Sequence, residues 1–389
     1  MSPNANAYVA PENYAAAEPF YPLCAFVCGR CFLVQLEQYE TPEEMFSDYA
    51  YFSSYSSTWL EHARRYSELI IDRLELGPQS TVVEVASNDG YLLQNFVRAG
   101  IRVIGIEPAA NVAEVAREKG IPTVTRFFGR ETADDLRADY AADLIVGNNV
   151  LAHVPDINDF VDGLARLLKS NGVITMEFPH LMKLVDQVQF DTIYHEHFSY
   201  FSFSTANRIF AAYGLRLFDV EELASHGGSL RIYACHSANA SQPTGERARE
   251  LLAREDAAGY SNVEIYTKFN ERVKATKRSV LSFFIDAKEK GTSIAAYGAP
   301  AKGNTLLNYC GIGTDFLDFT VDRSPHKQGH YLPGTRIPIR EPSEIERLRP
   351  DCLFILPWNL REEIMEQMSV IRDWNGRFVV ACPSLRVYE

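Results

Sequence analysis

Apolar positions switch repeatedly between helical and strand spacing through the middle of the chain. "TWLEHARRYSELIIDRLEL" reads as a helix, and "TVVEVASNDGYLLQNF" then opens with a short apolar strand, Thr81–Val85, and a polar turn, "ASNDG". "YLLQNFVRAG" returns to helical spacing, with Gly100 as a C-terminal stop. The next strand, "RVIGIEP", closes on the acidic Glu107 about 20 residues after the turn. A helix in "AANVAEVAREKG", a strand in "DLIVGNNVLAHV", a helix through "DFVDGLARLLK" and the strand "GVITMEF" follow. Repeated strand–helix units predict a doubly wound α/β sheet, mainly parallel. Such sheets take ligands at the carboxyl ends of their strands, near the point where strand order reverses.

Composition divides the chain into three regions. Residues 1–57 are rich in Tyr, Pro and Cys with short apolar stretches, and residues 58–236 carry the alternation just described. In residues 237–389 a polar segment leads into long amphipathic helices such as "VEIYTKFNERVKATKRSVLSFFIDAKEKG". A second strand–helix alternation follows Gly291.

The 389 residues, 46% hydrophobic and 23% charged, are ordinary for a globular protein with two or three cores. A net charge of −13 argues against nucleic acid or an anionic membrane surface as partner. No apolar run approaches the roughly 20 residues of a membrane span. The N-terminus lacks the basic and apolar segments of a signal peptide. A cytoplasmic enzyme, monomeric or a small homo-oligomer, is the expectation. Four of seven cysteines (Cys235, Cys310, Cys352, Cys382) sit in apolar contexts and read as buried thiols, while Cys24, Cys28 and Cys31 cluster in "CAFVCGRC".

The first turn selects the cofactor. A carboxylate closing the second strand accepts both hydroxyls of a ribose, which suits NAD or S-adenosylmethionine equally. NAD sites need G-x-G-x-x-G so that the backbone can approach a pyrophosphate, and "EVASNDGYL" lacks it. Glu84, Ser87, Asn88, Asp89 and the single Gly90, with Glu107, instead suit a cationic, phosphate-free ligand, as do Asn148 and Asn149 at the end of "DLIVGNN". The expectation is S-adenosylmethionine, with another nucleotide or a purely structural Rossmann-like domain as the alternatives.

The densest chemistry lies in "YHEHFSY", where Tyr194, His195, Glu196, His197 and Tyr200 fall within seven residues. The helical H-E-x-x-H spacing of a metal site is absent. On an extended segment Glu196 would face away from both histidines, leaving one of them a structural hydrogen-bonder. His153, just after the fourth strand, comes from the carboxyl edge and can reach the same cleft as a catalytic residue, or else cap a turn before Pro155. His226 precedes two glycines that allow close backbone approach to a ligand. In the C-terminal region "AYGAPAKGNTLLNY" reads as strand, turn with Lys302, and a helix beginning near Asn304, whose amides would suit a diphosphate. Asp322 and Lys327 follow a further strand, and "CLFILPWN" leads to Trp358 and Asn359.

Five segments occur in order: "EEMFSDYAYFSSYSSTW", "VVEVASNDGYLLQNF", "QFDTIYHEHFSYFS", "SHGGSLRIY" and "AYGAPAKGNTLLNY". Together they resemble the sugar-nucleotide 3-C-methyltransferases of TDP-4-keto-deoxysugar biosynthesis, across essentially the whole chain. The resemblance implies an N-terminal zinc module, a central class I methyltransferase domain and a C-terminal Rossmann-like domain holding a TDP-linked 4-keto-deoxyhexose. It makes His197 the base that removes the C3 proton, with Tyr194 and Glu196 lining the site and a tyrosine of "SDYAYFSS", Tyr49 in preference to Tyr51, over the substrate. It also implies a four-cysteine structural zinc, of which Cys28 and Cys31 supply half. Loss of the metal, a shortened N-terminus, or completion by Cys24 and another residue are the alternatives. An O- or N-methyltransferase on another small molecule, or a non-catalytic nucleotide-binding scaffold, are the competing functions.

Overall fold

Seven strands build the sheet that the apolar runs of residues 81–236 predict: β1 (Thr81–Val85), β2 (Arg102–Ile106), β3 (Thr123–Val124), β4 (Ala142–Asn148), β5 (Leu168–Pro179), β6 (Leu215–Leu223) and β7 (Ser229–His236). Their order is β3-β2-β1-β4-β5-β7-β6. The first five run parallel, and β7 inserts antiparallel between β5 and β6. Every side chain of β1 is buried, which suits its three valines and leaves Glu84 as a carboxylate held out of water. The strand order reverses between β1 and β4, so the ligand crevice lies beyond their carboxyl ends.

The computed structural model describes residues 1–46 and 52–389. They form two units, neither continuous in sequence. The seven-stranded sheet belongs to the unit made of Cys28–His180 and Phe198–Ser261. Its helices include α1 (Ser57–Arg73), α2 (Ile157–Leu167), α3 (Phe203–Ala212) and α4 (Glu246–Ala257). Ser56 caps α1 by accepting the Trp59 amide (3.2 Å), and Asp156 caps α2 through the amides of Asn158 and Asp159. The helix expected in "YLLQNFVRAG" is shorter than its pattern, Leu93–Arg98, because residues 86–92 are spent on the turn.

One buried carboxylate ties three elements of this unit together. His180, directly after β5, donates from Nε2 to Glu255 Oε1 on α4 at 2.7 Å. The same carboxylate accepts the amides of Phe203 (2.7 Å) and Ser204 (2.8 Å) at the start of α3, where negative charge is favourable. Glu255 and His180 are both 1% exposed, so the charge is tolerated only because all three donors meet it.

The second unit comprises Met1–Val27, Leu181–His197 and Asn262–Glu389. Its six strands are β8 (Ile294–Tyr297), β9 (Thr320–Val321), β10 (Ile339–Arg340), β11 (Cys352–Ile355), β12 (Arg377–Val380) and β13 (Arg386–Tyr388), in the order β10-β9-β8-β11-β12-β13. All but the last run parallel. The long helix α5 (Val263–Glu289) buries Val273, Val280, Phe284 and Ala287 against this sheet. α6 runs from Ala301 to Cys310, so Asn304 stands one turn inside the helix rather than at its expected start. Val188 and Phe190 from the central segment join the same core. The N-terminal residues lie along this unit as well: the Val9 amide donates to the Tyr331 carbonyl, and the Glu18 carboxylate accepts the Gly334 amide and pairs with Arg336 at 3.0 Å.

Glu255→Ala leaves His180 and two helix-start amides without their acceptor. It should cost about 3 kcal/mol, read as a lowered urea midpoint, with Glu255→Gln recovering part of the loss.

Candidate active site

At the carboxyl end of β1 the turn reverses sharply, with Ala86 at φ 55°, Asn88 at φ 50° and Gly90 at φ 77°. A side chain at Gly90 would collide with Ile121, so the turn presses directly onto the neighbouring loop. Glu84, Asp89 and Glu107 converge here, all buried. Glu107 spans the turn, accepting the Asn88 amide on Oε2 and the Ala109 amide on Oε1, both at 2.9 Å. Lys119 pairs with Asp89 at 3.0 Å. Among the described residues Ser87 Oγ and the second Asp89 oxygen have no hydrogen-bond partner. Burial, then the charges of Glu107 and Asp89, push the Glu84 carboxyl well above its ordinary range. Burial raises Glu107 as well. A crowded, desolvated set of carboxylates is what a cationic ligand relieves and what a pyrophosphate would be repelled by.

Beyond the neighbouring strand ends lies a cluster that the sequence did not single out. Glu177 of β5 sits opposite Asn148 of β4 and is fully buried. Its Oε2 accepts from Arg231 (2.8 Å) and meets His62 Nε2 at 2.9 Å, while Oε1 accepts from Ser225 (2.7 Å). Burial opposes the charge, but His62, Arg231 and Ser225 outweigh it and hold the carboxyl down at about 2. The Glu177 main-chain carbonyl takes the Asn149 amide at 2.7 Å. Asn149 Nδ2 in turn lies 3.0 Å from His226 Nε2, and both residues adopt left-handed backbone, each at φ 54°. Trp59 stacks on His62 at 4.8 Å and faces Tyr91 at 6.0 Å; Tyr91 reaches Asn148 at 3.4 Å. His153 ends a short 3₁₀ turn, Leu151–His153, directly after these asparagines. The acidic residue inside the apolar run "GVITMEF" was the available signal for Glu177.

In the other unit, "YHEH" is a tight turn rather than an extended segment, closed by the His197 amide on the Tyr194 carbonyl (2.9 Å). The two histidines therefore have separate surroundings. His195 Nε2 donates to the Pro22 carbonyl at 3.1 Å and meets the Tyr21 ring edge-on. His197 Nδ1 donates to the Thr192 carbonyl at 3.0 Å, which fixes the tautomer with the lone pair on Nε2. The Tyr194 ring lies 4.1 Å from that of His197. Glu196 accepts from Asn6 at 2.6 Å, a partner some 190 residues upstream.

Of the four residues expected to meet the nucleotide, Asp322 and Lys327 share a partner, whereas Asn304 and Lys302 each have their own. Asp322 Oδ2 accepts the Ala299 amide (2.7 Å) and Lys327 donates to the Ala299 carbonyl (2.8 Å), alongside the Tyr8 hydroxyl on the same carbonyl (2.5 Å). Asn304 is buried and donates to the Ala5 carbonyl at 2.7 Å. Lys302 donates to Asn359 at 2.8 Å with its Nζ 4.7 Å from the Trp358 ring, and burial lowers its ammonium from the ordinary range. Tyr49 and Tyr51 lie outside the described residues.

Cys28 and Cys31 share a knuckle in which Phe32 is left-handed (φ 61°) and its amide returns to the Cys28 carbonyl. Amides of Cys31 and Arg30 hold the Cys28 thiol below its usual range. Two thiols are half of the four ligands structural zinc takes. Among the described residues no group of three or more His, Cys, Asp or Glu is placed to hold a metal, so the residues described do not complete that site. Among them, too, no helix is long and apolar enough to cross a membrane.

The sheet order and the carboxylate-lined first turn define a class I methyltransferase domain, and a family described as "Methyltransferase domain" matches residues 59–220. A family described as "C-methyltransferase C-terminal domain" matches residues 224–383, and one named for zinc binding matches residues 1–46. The chain is 36% identical to the C-methyltransferase NovU of Streptomyces niveus, over 99% of this chain and 92% of that protein. It belongs to the C-methyltransferase family. More local likenesses include a ubiquinone biosynthesis O-methyltransferase of Bartonella quintana (30% identity, 24% of this chain, 38% of that protein). The structure of magnesium protoporphyrin IX methyltransferase from Synechocystis PCC 6803 with bound S-adenosylhomocysteine covers 46% of this chain and 82% of its own, at 16% identity and a TM-score of 0.36.

The protein is thus an S-adenosylmethionine-dependent C-methyltransferase, and Glu84 is the carboxylate we assign to that donor's cationic groups. Because binding favours ionised Glu84, whose proton is held unusually tightly, it should release that proton. Affinity for S-adenosylmethionine should then be level above the raised pKa and fall towards tenfold per pH unit below it. Calorimetric titrations across pH would show this, and Glu84→Gln should weaken binding by at least tenfold and flatten the dependence.

Proposed function

We propose that the chain methylates C3 of a TDP-4-keto-deoxyhexose through an enolate, with His197 as the base. Carbon is a poor nucleophile unless a neighbouring ketone acidifies its C–H bond and spreads the resulting charge onto oxygen. A C-methyltransferase therefore needs a base aimed at that hydrogen and donors for the enolate oxygen. When bound, S-adenosylmethionine supplies an electrophilic methyl group. The chain supplies the proton transfer: His197 Nε2 takes the C3 proton, and the imidazolium that forms keeps its Nδ1–H on the Thr192 carbonyl.

The observation that carries this reading is the divided fate of the two histidines. His195 spends its Nε2 hydrogen on Pro22, whereas His197 is held by Nδ1 and so carries its lone pair on the ring's outer nitrogen. Tyr194, packed on the imidazole, and Glu196, oriented by Asn6, are the groups we assign to the sugar. His153, His226 and Asn149 stand at the strand ends of the methyltransferase domain and are suited to contacts near the transferred methyl group. The nucleotide we assign to the neighbourhood of Lys327 and Asp322 rather than to Lys302, which is bonded to Asn359 over the Trp358 ring beside buried Asp191. Recognition of TDP in particular rests on the family resemblance.

His197→Asn should retain the fold and S-adenosylhomocysteine binding while lowering methyl transfer roughly 100- to 10,000-fold. Incorporation of solvent deuterium at C3 of TDP-4-keto-6-deoxyglucose without methyl donor should fall in parallel. Near-normal turnover would move the base to another histidine. Thermal stabilisation by TDP, compared with UDP and GDP, reads the nucleotide preference.

A further inference from the structure

Strand order in the six-stranded sheet reverses at β8, with β9 and β10 on one side and β11 and β12 on the other. Sheets of this kind receive ligands in the crevice beyond the carboxyl ends at that point. Gly298 follows β8, Pro357, Trp358 and Asn359 follow β11, and Lys302 projects from the first turn of α6. The group that meets them comes from the chain itself. Trp358 Nε1 donates to Asp191 Oδ2 at 2.7 Å. Lys302, bonded to Asn359 and lying over the Trp358 ring, attracts the same carboxylate. Asp191 is wholly buried, and Val188 and Phe190 beside it are built into the core, with Phe190 5.1 Å from Tyr309.

We propose that Lys302, Trp358 and Asn359 form a dock for the segment 189–197, and that through Asp191 they act as positioning residues for His197. The connection is short. Asp191 is followed by Thr192, whose hydroxyl donates to the Gln189 carbonyl (2.7 Å) and whose own carbonyl accepts His197 Nδ1–H. Anchoring Asp191 therefore fixes the carbonyl that sets the tautomer and direction of the imidazole. A carboxylate supplied by the chain takes the place that a ligand's anion takes in other sheets of this kind, which explains why a buried tryptophan, a half-buried lysine and an asparagine gather around a residue of a distant loop. The inference rests on His197 being the base.

Trp358→Phe keeps the ring and deletes only the donor to Asp191. In protein with nitrogen-15-labelled histidine, His197 should appear as the Nδ1–H tautomer, and Trp358→Phe should shift its signals towards a mixture of tautomers. Deuterium incorporation at C3 and kcat should drop about 10- to 100-fold, with KM and S-adenosylhomocysteine affinity within about threefold of wild type. Asn359→Ala, which removes only the Lys302 acceptor, should give the same pattern more weakly and serves if Trp358→Phe does not fold. An unchanged His197 tautomer, or a defect confined to KM, would overturn the proposal. Parallel His197→Asn measurements separate the two failures: an active His197→Asn enzyme defeats the base assignment, whereas an inactive one beside a normal Trp358→Phe enzyme defeats only the dock.

Discussion

A carboxylate taken out of water must be met by donors or cations, or it will hold its proton. That constraint organises both units of this protein. Glu255 is met by His180 and two helix-start amides, Glu177 by His62, Arg231 and Ser225, and Asp191 by Trp358 with Lys302 nearby. Each of these joins segments far apart in the chain. Glu84 is different: its nearest charged neighbours are themselves carboxylates, and its proton is held accordingly. Glu255 and Glu177 mark joints of the methyltransferase unit, Glu84 lies in the turn assigned to the cofactor, and in the other unit burial still lifts Asp191 to about 6 despite its donor.

The same contrast separates binding from chemistry. The pocket assigned to the methyl donor lies at the ends of adjacent parallel strands, β1 and β2, and one turn, so its residues are close in sequence as well as in space. The residues we assign to proton transfer are set instead by partners remote in sequence. The Thr192 carbonyl that accepts from His197 adjoins Asp191, which Trp358 bonds, and Glu196 accepts from Asn6. Substitutions far from the reacting atoms can therefore reach the chemistry through rigid short paths. The left-handed Asn149 and His226, joined by a hydrogen bond and tied to Glu177 through main chain and Ser225, show the same use of neighbours to hold costly backbone in place.

The alternation of apolar runs in residues 81–236 was enough to determine the α/β class, the parallel strands and the first turn, since buried parallel strands and their connecting helices write their periods into the sequence. The acidic, glycine-poor turn likewise determined the cofactor class, because charge and backbone reach are local properties. The sequence showed that Tyr194, Glu196 and His197 were chemically dense. Spacing alone did not show that the two rings have different surroundings, because a turn rather than a strand gives each a different carbonyl partner. Lys302 looked like an anion-binding side chain after a glycine turn, and only packing shows it committed to Asn359 and Trp358. Glu177 and Asp191 were single acids in apolar or aromatic surroundings, with meaning supplied by Arg231 and Trp358 from elsewhere in the chain. Local pattern fixes what period and charge can express, whereas the pairing of buried polar groups is settled only when distant segments meet and water is excluded.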